Sequence, residues 1–98
     1  MNDEARWVAT AEQLSCEVGG EVVILNLKDD TYYGLPEVGA FVWQLLGEPR
    51  TLAELRDAVV SEFEVEPEVA ESDLAGLLAS LRERGLIVRA SRAPGEPA

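Results

Sequence analysis

Few side chains in this sequence are suited to catalysis. The 98 residues include one cysteine, Cys16, and no histidine. Because histidine is the usual base for a cysteine or serine nucleophile and a frequent zinc ligand, its absence removes Cys–His and Ser–His nucleophiles, acid–base catalysis by histidine and most zinc sites. Cys16 alternates with Leu14 and Val18 on one side of a predicted strand. We therefore interpret it as a buried core cysteine rather than a nucleophile or a redox thiol.

Carboxylates are the other candidates, and they concentrate around the junction between two predicted helices. The cluster consists of Glu62, Glu64, Glu66, Glu68, Glu71 and Asp73. Its spacing lacks the alternating Asp/Asn ligands and the central glycine of an EF-hand loop, so it favours a solvated helix junction over a cation site. Composition leaves acid–base catalysis open, but no carboxylate pair stands out. We predict no catalytic residue, no metal site and no cofactor.

The overall charge narrows the classes of partner. Eight Lys and Arg residues against nineteen Asp and Glu give a formal net charge of −11. This charge opposes binding to nucleic acid and to anionic membranes, and it favours a basic partner. With 47% hydrophobic residues, the chain is predicted to fold as one domain. The lone cysteine excludes an internal disulfide, and residues 1–6 lack the features of a signal peptide, so we expect a cytoplasmic protein without a membrane segment.

Hydrophobic alternation predicts three strands in the first third of the chain. Residues 14–18 alternate apolar and polar side chains, Gly19-Gly20 suits a tight hairpin turn, and residues 22–27 form a middle strand that is apolar on both faces. A second turn over residues 28–30 leads to a short strand, Thr31–Leu35. This last strand is short and mixed in character, which is typical of a sheet edge.

After Pro36 the hydrophobic period changes from that of a strand to that of a helix, and three helices are predicted. The second helix begins at a capping box formed by Thr51 and Glu54. The third begins near Pro67, carries a stripe of leucines and ends at Gly85. A short strand is predicted just beyond it.

The order of the elements, strands before helices, indicates an α+β fold. We predict a three-stranded antiparallel sheet followed by three helices. The predicted boundaries are a flexible N-terminal segment over residues 1–11, one folded domain over residues 12–88, and a disordered tail over residues 89–98.

The edge of the Thr31–Leu35 strand is the main functional feature that the pattern alone provides. An edge strand presents unpaired N–H and C=O groups to which another extended chain can add. Tyr33 alternates with Leu35 and is predicted to face the core. Tyr32 points to the other face, where a binding role and an ordinary cross-strand pair both remain open. We therefore predict a peptide-binding protein that is not an enzyme.

Three helices followed by a short strand also fit a winged helix-turn-helix protein. In that arrangement the third helix would approach DNA phosphates with Glu68, Glu71 and Asp73, which carry the wrong charge. A winged-helix transcription regulator or another protein-interaction adaptor is the alternative to peptide binding.

Six segments follow one another along the chain: Gly19-Gly20, Val23-Ile24-Leu25-Asn26-Leu27, Tyr32-Tyr33-Gly34-Leu35, Gly39-Ala40-Phe41-Val42-Trp43-Gln44-Leu45-Leu46, Thr51-Leu52-Ala53-Glu54-Leu55 and Leu81-Arg82-Glu83-Arg84-Gly85-Leu86-Ile87. Taken together in this order, they resemble the PqqD-like proteins. The resemblance spans residues 12–88 and lies in the ordered series rather than in one motif. It implies a winged-helix-like fold and the role of a RiPP recognition element, which binds the leader peptide of a ribosomally made, modified peptide.

Within that family, the chain most resembles the freestanding leader-binding protein of lasso-peptide biosynthesis. The resemblance implies that a precursor's leader, which offers a tyrosine, a proline and a leucine, adds antiparallel to the third strand in a groove against the third helix. It further implies presentation of the precursor to a separate cysteine protease and to the lasso cyclase. Pro36 departs from the family, which often has a polar helix cap at this position. The implied leader-binding residues are Asp30, Thr31, Tyr32, Tyr33, Gly34, Leu35, Val69, Ala70, Asp73, Gly76, Leu77 and Ser80.

Overall fold

A computed structural model describes residues 5–90, and this part of the chain contains six strands and three helices. In chain order the elements are β1 (Arg6–Ala9), β2 (Gln13–Val18), β3 (Glu21–Asn26), β4 (Thr31–Leu35), α1 (Glu37–Leu45), β5 (Arg50–Thr51), α2 (Leu52–Phe63), α3 (Pro67–Glu83) and β6 (Ile87–Ala90). The strands form two antiparallel sheets, in the orders β2-β3-β4 and β5-β1-β6. The α+β class with a three-stranded antiparallel sheet ahead of three helices is confirmed.

Two turns fix the register of the β2-β3-β4 sheet. Gly19 and Gly20 have φ values of 59° and 87°, which suit the two-residue type I′ hairpin turn. This turn closes Val18 against Glu21. The second turn ends at Asp30, whose φ is 60° and whose N–H donates to the Asn26 carbonyl over 2.8 Å. These two turns place β3 in the middle of the sheet, as predicted.

The helices begin at signals that the sequence contains. The Glu54 N–H donates to the Thr51 hydroxyl over 3.1 Å, and the Thr51 N–H donates to the Glu54 carboxylate over 3.0 Å, which confirms the capping box. Pro67 occupies the first turn of α3, where its missing N–H leaves no helical bond unmade. Pro36 has an extended backbone and no side-chain cap. It therefore ends β4 and lets α1 begin at the next residue.

The core lies between one face of the β2-β3-β4 sheet and the three helices. Burying a large apolar side chain contributes about 1.5–3 kcal/mol to stability. The sheet face that packs against the helices is therefore the one whose side chains are buried in this core. The leucine stripe predicted for α3 is confirmed at Leu74, Leu78 and Leu81, which are all buried. The buried apolar residues are Val22, Ile24, Leu35, Ala40, Val42, Trp43, Leu46, Leu55, Val59, Ala70, Leu74, Leu78, Leu81, Leu86 and Ile87.

The β5-β1-β6 sheet joins segments that are far apart in the chain. Trp7 of β1 pairs with Arg89 of β6, and the Arg82 guanidinium lies 5.1 Å from the centre of the Trp7 ring. The sequence pattern predicts a flexible segment over residues 1–11 and a disordered tail over residues 89–98. The structure has strands at Arg6–Ala9 and up to Ala90, because β1 and β6 satisfy each other's backbone groups. Residues 1–4 and 91–98 lie outside the described part.

The prediction that Cys16 is buried is wrong. Cys16 is exposed, and Leu14 and Val18 on the same face of β2 are 62% and 60% exposed. The helices cover the opposite face, where Trp43 Nε1 donates to the Ser15 hydroxyl over 3.2 Å. Alternation identifies the residues that share a face, but an antiparallel sheet can leave either face in solvent. Here the more apolar face of β2 is the open one.

Candidate peptide-binding groove

Strand β4 lies at an edge of its sheet. Within residues 5–90 it pairs with β3 and with no other strand. Its five residues are matched one to one with β3, from Thr31 opposite Asn26 to Leu35 opposite Val22. The opposite side of β4 therefore carries backbone groups without a partner strand in the described part of the chain.

The turn at Gly19-Gly20 determines which backbone groups of β4 face the open side. A two-residue turn makes its closing pair, Val18 and Glu21, a hydrogen-bonded pair, and the direction of bonding alternates along a strand. On β3, the backbone groups of Val22, Ile24 and Asn26 therefore bond toward β4. By the same register, the N–H and C=O groups of Tyr32 and Gly34 point away from β3, toward the open edge.

Helix α3 lies alongside β4 and runs in the opposite direction. Arg84, which caps the C-terminal end of α3, has its guanidinium 4.4 Å from the centre of the Tyr33 ring. Leu35, at the end of β4, lines a cavity together with Ala70 from the N-terminal end and Leu77 from the middle of α3. These two observations place a groove between the open edge of β4 and one face of α3.

The α3 face that continues toward Arg84 carries small or short side chains. Val69, Asp73, Gly76 and Ser80 follow the spacing of one helix face. The first three are exposed, and Ser80 is half-buried. A Cβ atom added to Gly76 would meet nothing within 4 Å. This wall of the groove is therefore low and leaves space above the backbone of α3.

A cavity of about 290 Å³ lies at the Leu35 end of the groove. Its size is close to that of the smallest ligand pockets, which start at about 300 Å³. Asp73 is the charged residue of its lining, and the remainder is apolar or glycine. The cavity is lined by Leu35, Pro36, Val38, Gly39, Val59, Val65, Ala70, Asp73, Leu74 and Leu77. This arrangement suits an apolar side chain that enters from the open edge of β4.

The other end of the groove is held together by polar contacts. Asn26 is 1% exposed, its amide donates to the Arg84 carbonyl over 2.9 Å, and its Oδ1 accepts the Lys28 N–H over 2.9 Å. A buried amide that makes two hydrogen bonds avoids the cost of unpaired polar burial. Asn26 therefore ties the sheet to the C-terminal end of α3.

A chain of hydroxyl contacts orders the start of β4. The Thr31 hydroxyl donates to the Asp29 carboxylate over 2.6 Å and lies 3.2 Å from the Tyr33 phenol oxygen. Hydrogen bonding by Thr31 lowers the pKa of Asp29 below its usual value. This shift favours the charged form of the Asp29 carboxylate.

The family described as "Coenzyme PQQ synthesis protein D (PqqD)" matches residues 21–87, which is more than half of the chain. The chain belongs to the PqqD family. The matched segment runs from β3 into β6 and includes both walls of the groove and the whole cavity. Among curated proteins, no sequence matches this chain.

Two solved structures share the fold of this PqqD-family chain. One is described as "TbiB1 in Complex with the TbiA(beta) Leader Peptide"; it is 30% identical, with a TM-score of 0.75, and the match covers 93% of this chain and 99% of that chain. The other is "Lasso peptide synthetase B1 complexed with the leader peptide", 28% identical with a TM-score of 0.74, covering 84% of this chain and 96% of that chain. The PqqD-like resemblance read from the sequence is therefore confirmed.

The predicted site residues of this PqqD-family protein fall into three groups. Leu35, Ala70, Asp73 and Leu77 meet in the cavity. Val69, Gly76 and Ser80 belong to the α3 wall, outside the lining of the cavity. Asp30 ends the turn before β4, and Thr31, Tyr32, Tyr33 and Gly34 form the strand itself. Their role in leader binding stays a prediction.

Part of the cavity is not predicted from the sequence. Pro36, Val38 and Gly39 follow β4 directly and lie at the start of α1. Val59 and Val65 come from α2 and the loop after it. Val59 follows Leu55 at the i, i+4 spacing of one helix face, and both are buried. The burial of Val59 is therefore predictable from the sequence, whereas its neighbours in the cavity are not.

The structure of this PqqD-family chain does not favour DNA binding. Glu68, Glu71 and Asp73 are exposed on α3, and the helix would present this negative charge to phosphates. Within residues 5–90, no group of His, Cys, Asp or Glu side chains is arranged to hold a metal ion. No helix in the same part of the chain is long and apolar enough to cross a membrane.

Proposed function

We propose that this protein binds the leader peptide of a ribosomally made precursor, of the lasso-peptide type, by adding the leader as a strand to β4. The observation that carries the proposal is the open edge of β4 beside α3, with an apolar cavity at its end. Two structures of the same fold, at 30% and 28% identity, hold leader peptides. Their likeness to this chain supports the same function here.

Strand addition supplies affinity through the backbone. Tyr32 and Gly34 offer N–H and C=O groups that a leader strand can pair with. Each net hydrogen bond contributes about 0.5–1.5 kcal/mol, so the strand holds the leader largely without regard to its sequence. Gly34 has no side chain, and a Cβ added there would meet nothing within 4 Å. Strand addition at Gly34 therefore depends on its backbone groups alone.

Selectivity comes from the cavity and the α3 wall. Side chains of an extended leader alternate between two faces, and those on the α3 side meet Ala70, Leu77 and the low wall at Gly76. A large apolar or aromatic side chain of the leader fills the cavity at Leu35. Of the tyrosine, proline and leucine of lasso-type leaders, we assign the tyrosine to the cavity, where its hydroxyl can donate to Asp73.

Binding brings the precursor close to its processing enzymes and involves no chemical step on this protein. The protein acts in the cytoplasm as a non-enzymatic subunit that presents the precursor to a separate cysteine protease and to the lasso cyclase. Tethering a substrate beside its enzyme raises the effective concentration of that substrate, to the millimolar range for short connections.

The experiment that tests this function is a titration of a fluorescently labelled lasso-type leader with this protein, followed by fluorescence anisotropy. A second leader, in which the tyrosine, proline and leucine are replaced by alanine, serves as the control. We expect saturable binding of the first leader and a loss of at least about tenfold for the second, equivalent to about 1.4 kcal/mol. Equal binding of both leaders, or none by several lasso-type leaders, would contradict the proposal.

A further inference from the structure

The face of the β2-β3-β4 sheet that points away from the helices is apolar and open. The outer face, as we call it, consists of Leu14, Cys16, Val18, Val23, Leu25, Leu27 and Tyr32. The register places Leu14, Leu25 and Tyr32 side by side across the three strands, and Cys16 beside Val23 in the next row. Tyr32 is 69% exposed and Leu27 46%. A continuous apolar area of this kind on a small protein marks an interaction site.

The outer face also contains a depression. Leu14, Cys16, Val23, Leu25 and Tyr32 line a shallow depression of about 230 Å³ in the middle of the face. This depression belongs to the side of the sheet opposite the cavity at Leu35, because the side chains of neighbouring residues in a strand point to opposite faces. The outer face is therefore a second surface, separate from the groove.

Charge around the outer face identifies the kind of partner. Glu21 pairs with Val18 at one end of the face, and Asp30 lies at the other, where Lys28 is held by Glu12 at 3.3 Å. The rim is therefore acidic, and the whole chain carries a net charge of −11. A second copy of this chain would bring like charges together, which disfavours association. The complementary surface is apolar at its centre and carries Lys and Arg around it.

The outer face is continuous with the edge that receives the leader. A leader strand paired with β4 would extend the sheet by one strand and would place every second side chain next to Tyr32 on this face. A protein docked on the outer face would then contact both the recognition protein and the leader. This step rests on the proposed function.

We propose that the outer face is the docking surface for the processing protease, which binds it through apolar side chains ringed by Lys and Arg. Docking there excludes water from Leu14, Cys16 and Val18 and places the protease beside the bound leader. The protease therefore binds the leader-loaded protein more tightly than the free protein.

Cys16 provides a built-in reporter, because it is the one cysteine of the chain and is exposed on the outer face. The rate at which a maleimide labels Cys16 is measured by intact-protein mass spectrometry, alone and with the recombinant protease whose nucleophilic cysteine is replaced by alanine. We expect labelling to slow at least about tenfold in the complex, and further when leader is added. Unchanged labelling in a complex shown to form would overturn the proposal.

A charge substitution gives an independent test. Leu14→Lys introduces a cation at an exposed position on β2, two strands from the leader edge, and Ser61→Lys introduces the same charge at an exposed position of α2. We expect Leu14→Lys to weaken protease binding at least about tenfold and Ser61→Lys to leave it unchanged, with both variants binding leader like the wild type. Equal protease binding by the two variants would overturn the docking surface.

The remaining outcomes separate this proposal from its alternatives. If labelling of Cys16 slows as the concentration of this protein alone is raised, the outer face pairs two copies and the proposal is overturned. If the protease protects Cys16 but no leader binds, the docking surface stands and the proposed leader function fails. Protease binding should also weaken as salt is added, because screening acts on the exposed charges of the rim.

Discussion

Strand addition can be tested by removing one backbone donor from the open edge of β4. Gly34→Pro removes the N–H that the register directs away from β3, and it leaves the bonds between β3 and β4 in place. Proline is tolerated at sheet edges for this reason. A Cβ atom added at Gly34 would meet nothing within 4 Å, and the rest of the ring would lie on the open side of β4, which the N–H of Gly34 faces.

The size of the effect follows from the geometry of a sheet. Loss of one hydrogen bond costs about 1 kcal/mol, equivalent to about fivefold in affinity. A leader strand would lie about 4.8 Å from β4, too close for a proline ring between the two backbones. A neighbouring bond must therefore lengthen as well. Two bonds correspond to about 2 kcal/mol, so we expect leader affinity to fall about 30-fold.

The chain supplies a matched control on the other edge of the same sheet. The N–H of Glu17 on β2 points away from β3 by the same alternation that applies to Gly34. Glu17→Pro should therefore cause the same local change in stability and leave leader affinity within about twofold of the wild type. Gly34→Ala, which keeps the N–H, should also bind normally. Urea denaturation confirms that each variant is folded before its affinity is measured by anisotropy.

Two results would refute the reasoning. If folded Gly34→Pro binds leader within about twofold of the wild type, the leader does not add to β4. If Glu17→Pro weakens binding as much as Gly34→Pro, the effect comes from the sheet as a whole and not from its leader edge.

Three further predictions concern the groove. Asn26→Ala leaves the Arg84 carbonyl and the Lys28 N–H without their partner, and it should lower the free energy of unfolding in urea by about 1–3 kcal/mol; a loss below 0.5 kcal/mol would contradict the role of Asn26 as a tie. Gly76→Ala should stabilise α3 by about 0.5–1 kcal/mol with little change in leader affinity, whereas Gly76→Trp should block the open wall and weaken binding at least about tenfold; equal affinity of these two variants would remove Gly76 from the groove. Binding of a leader without histidine should be constant between about pH 5.5 and 7.5. The chain has no histidine. Because the pKa of Asp29 is lowered, the stabilising charge of this carboxylate is lost only at pH below the usual pKa of 3.8. A binding transition near pH 6.5 would show that another group titrates in the site.

Local features of the fold were predictable because each has its cause within a few residues. The turn at Gly19-Gly20 needs positive φ values, and the capping box at Thr51 needs a glutamate three positions on. Both signals depend on backbone groups that are neighbours in sequence. The leucine stripe of α3 is likewise a property of one helix.

Long-range features were not predictable from the pattern. Strand β5 has two residues, which is too short for any period to be visible, and β1 finds its partner β6 at the other end of the described chain. The same limit explains the error at Cys16. The alternation along β2 correctly identifies the residues that share a face with Cys16. Which of the two faces is covered depends on where α1 packs.

The candidate site was predictable only in part for the same reason. That β4 is an edge can be inferred from its length and composition, whereas its position beside α3 depends on the packing of two helices. The resemblance to the PqqD-like proteins supplied that pairing. It also carried over Val69, Gly76 and Ser80, which no periodic signal distinguishes from ordinary surface positions.

The two ends of the groove differ in how their walls are held. Near Arg84, the bonds of Asn26 and the contact with Tyr33 hold the two walls together. Near Leu35, the walls separate around the cavity. In the proposed antiparallel addition, the N-terminal part of the leader would lie at Leu35, beside the cavity, and its C-terminal part at Thr31. On these two proposals, the precursor beyond the leader would emerge at the turn before β4, next to Leu27 of the outer face, where a docked protease would receive it.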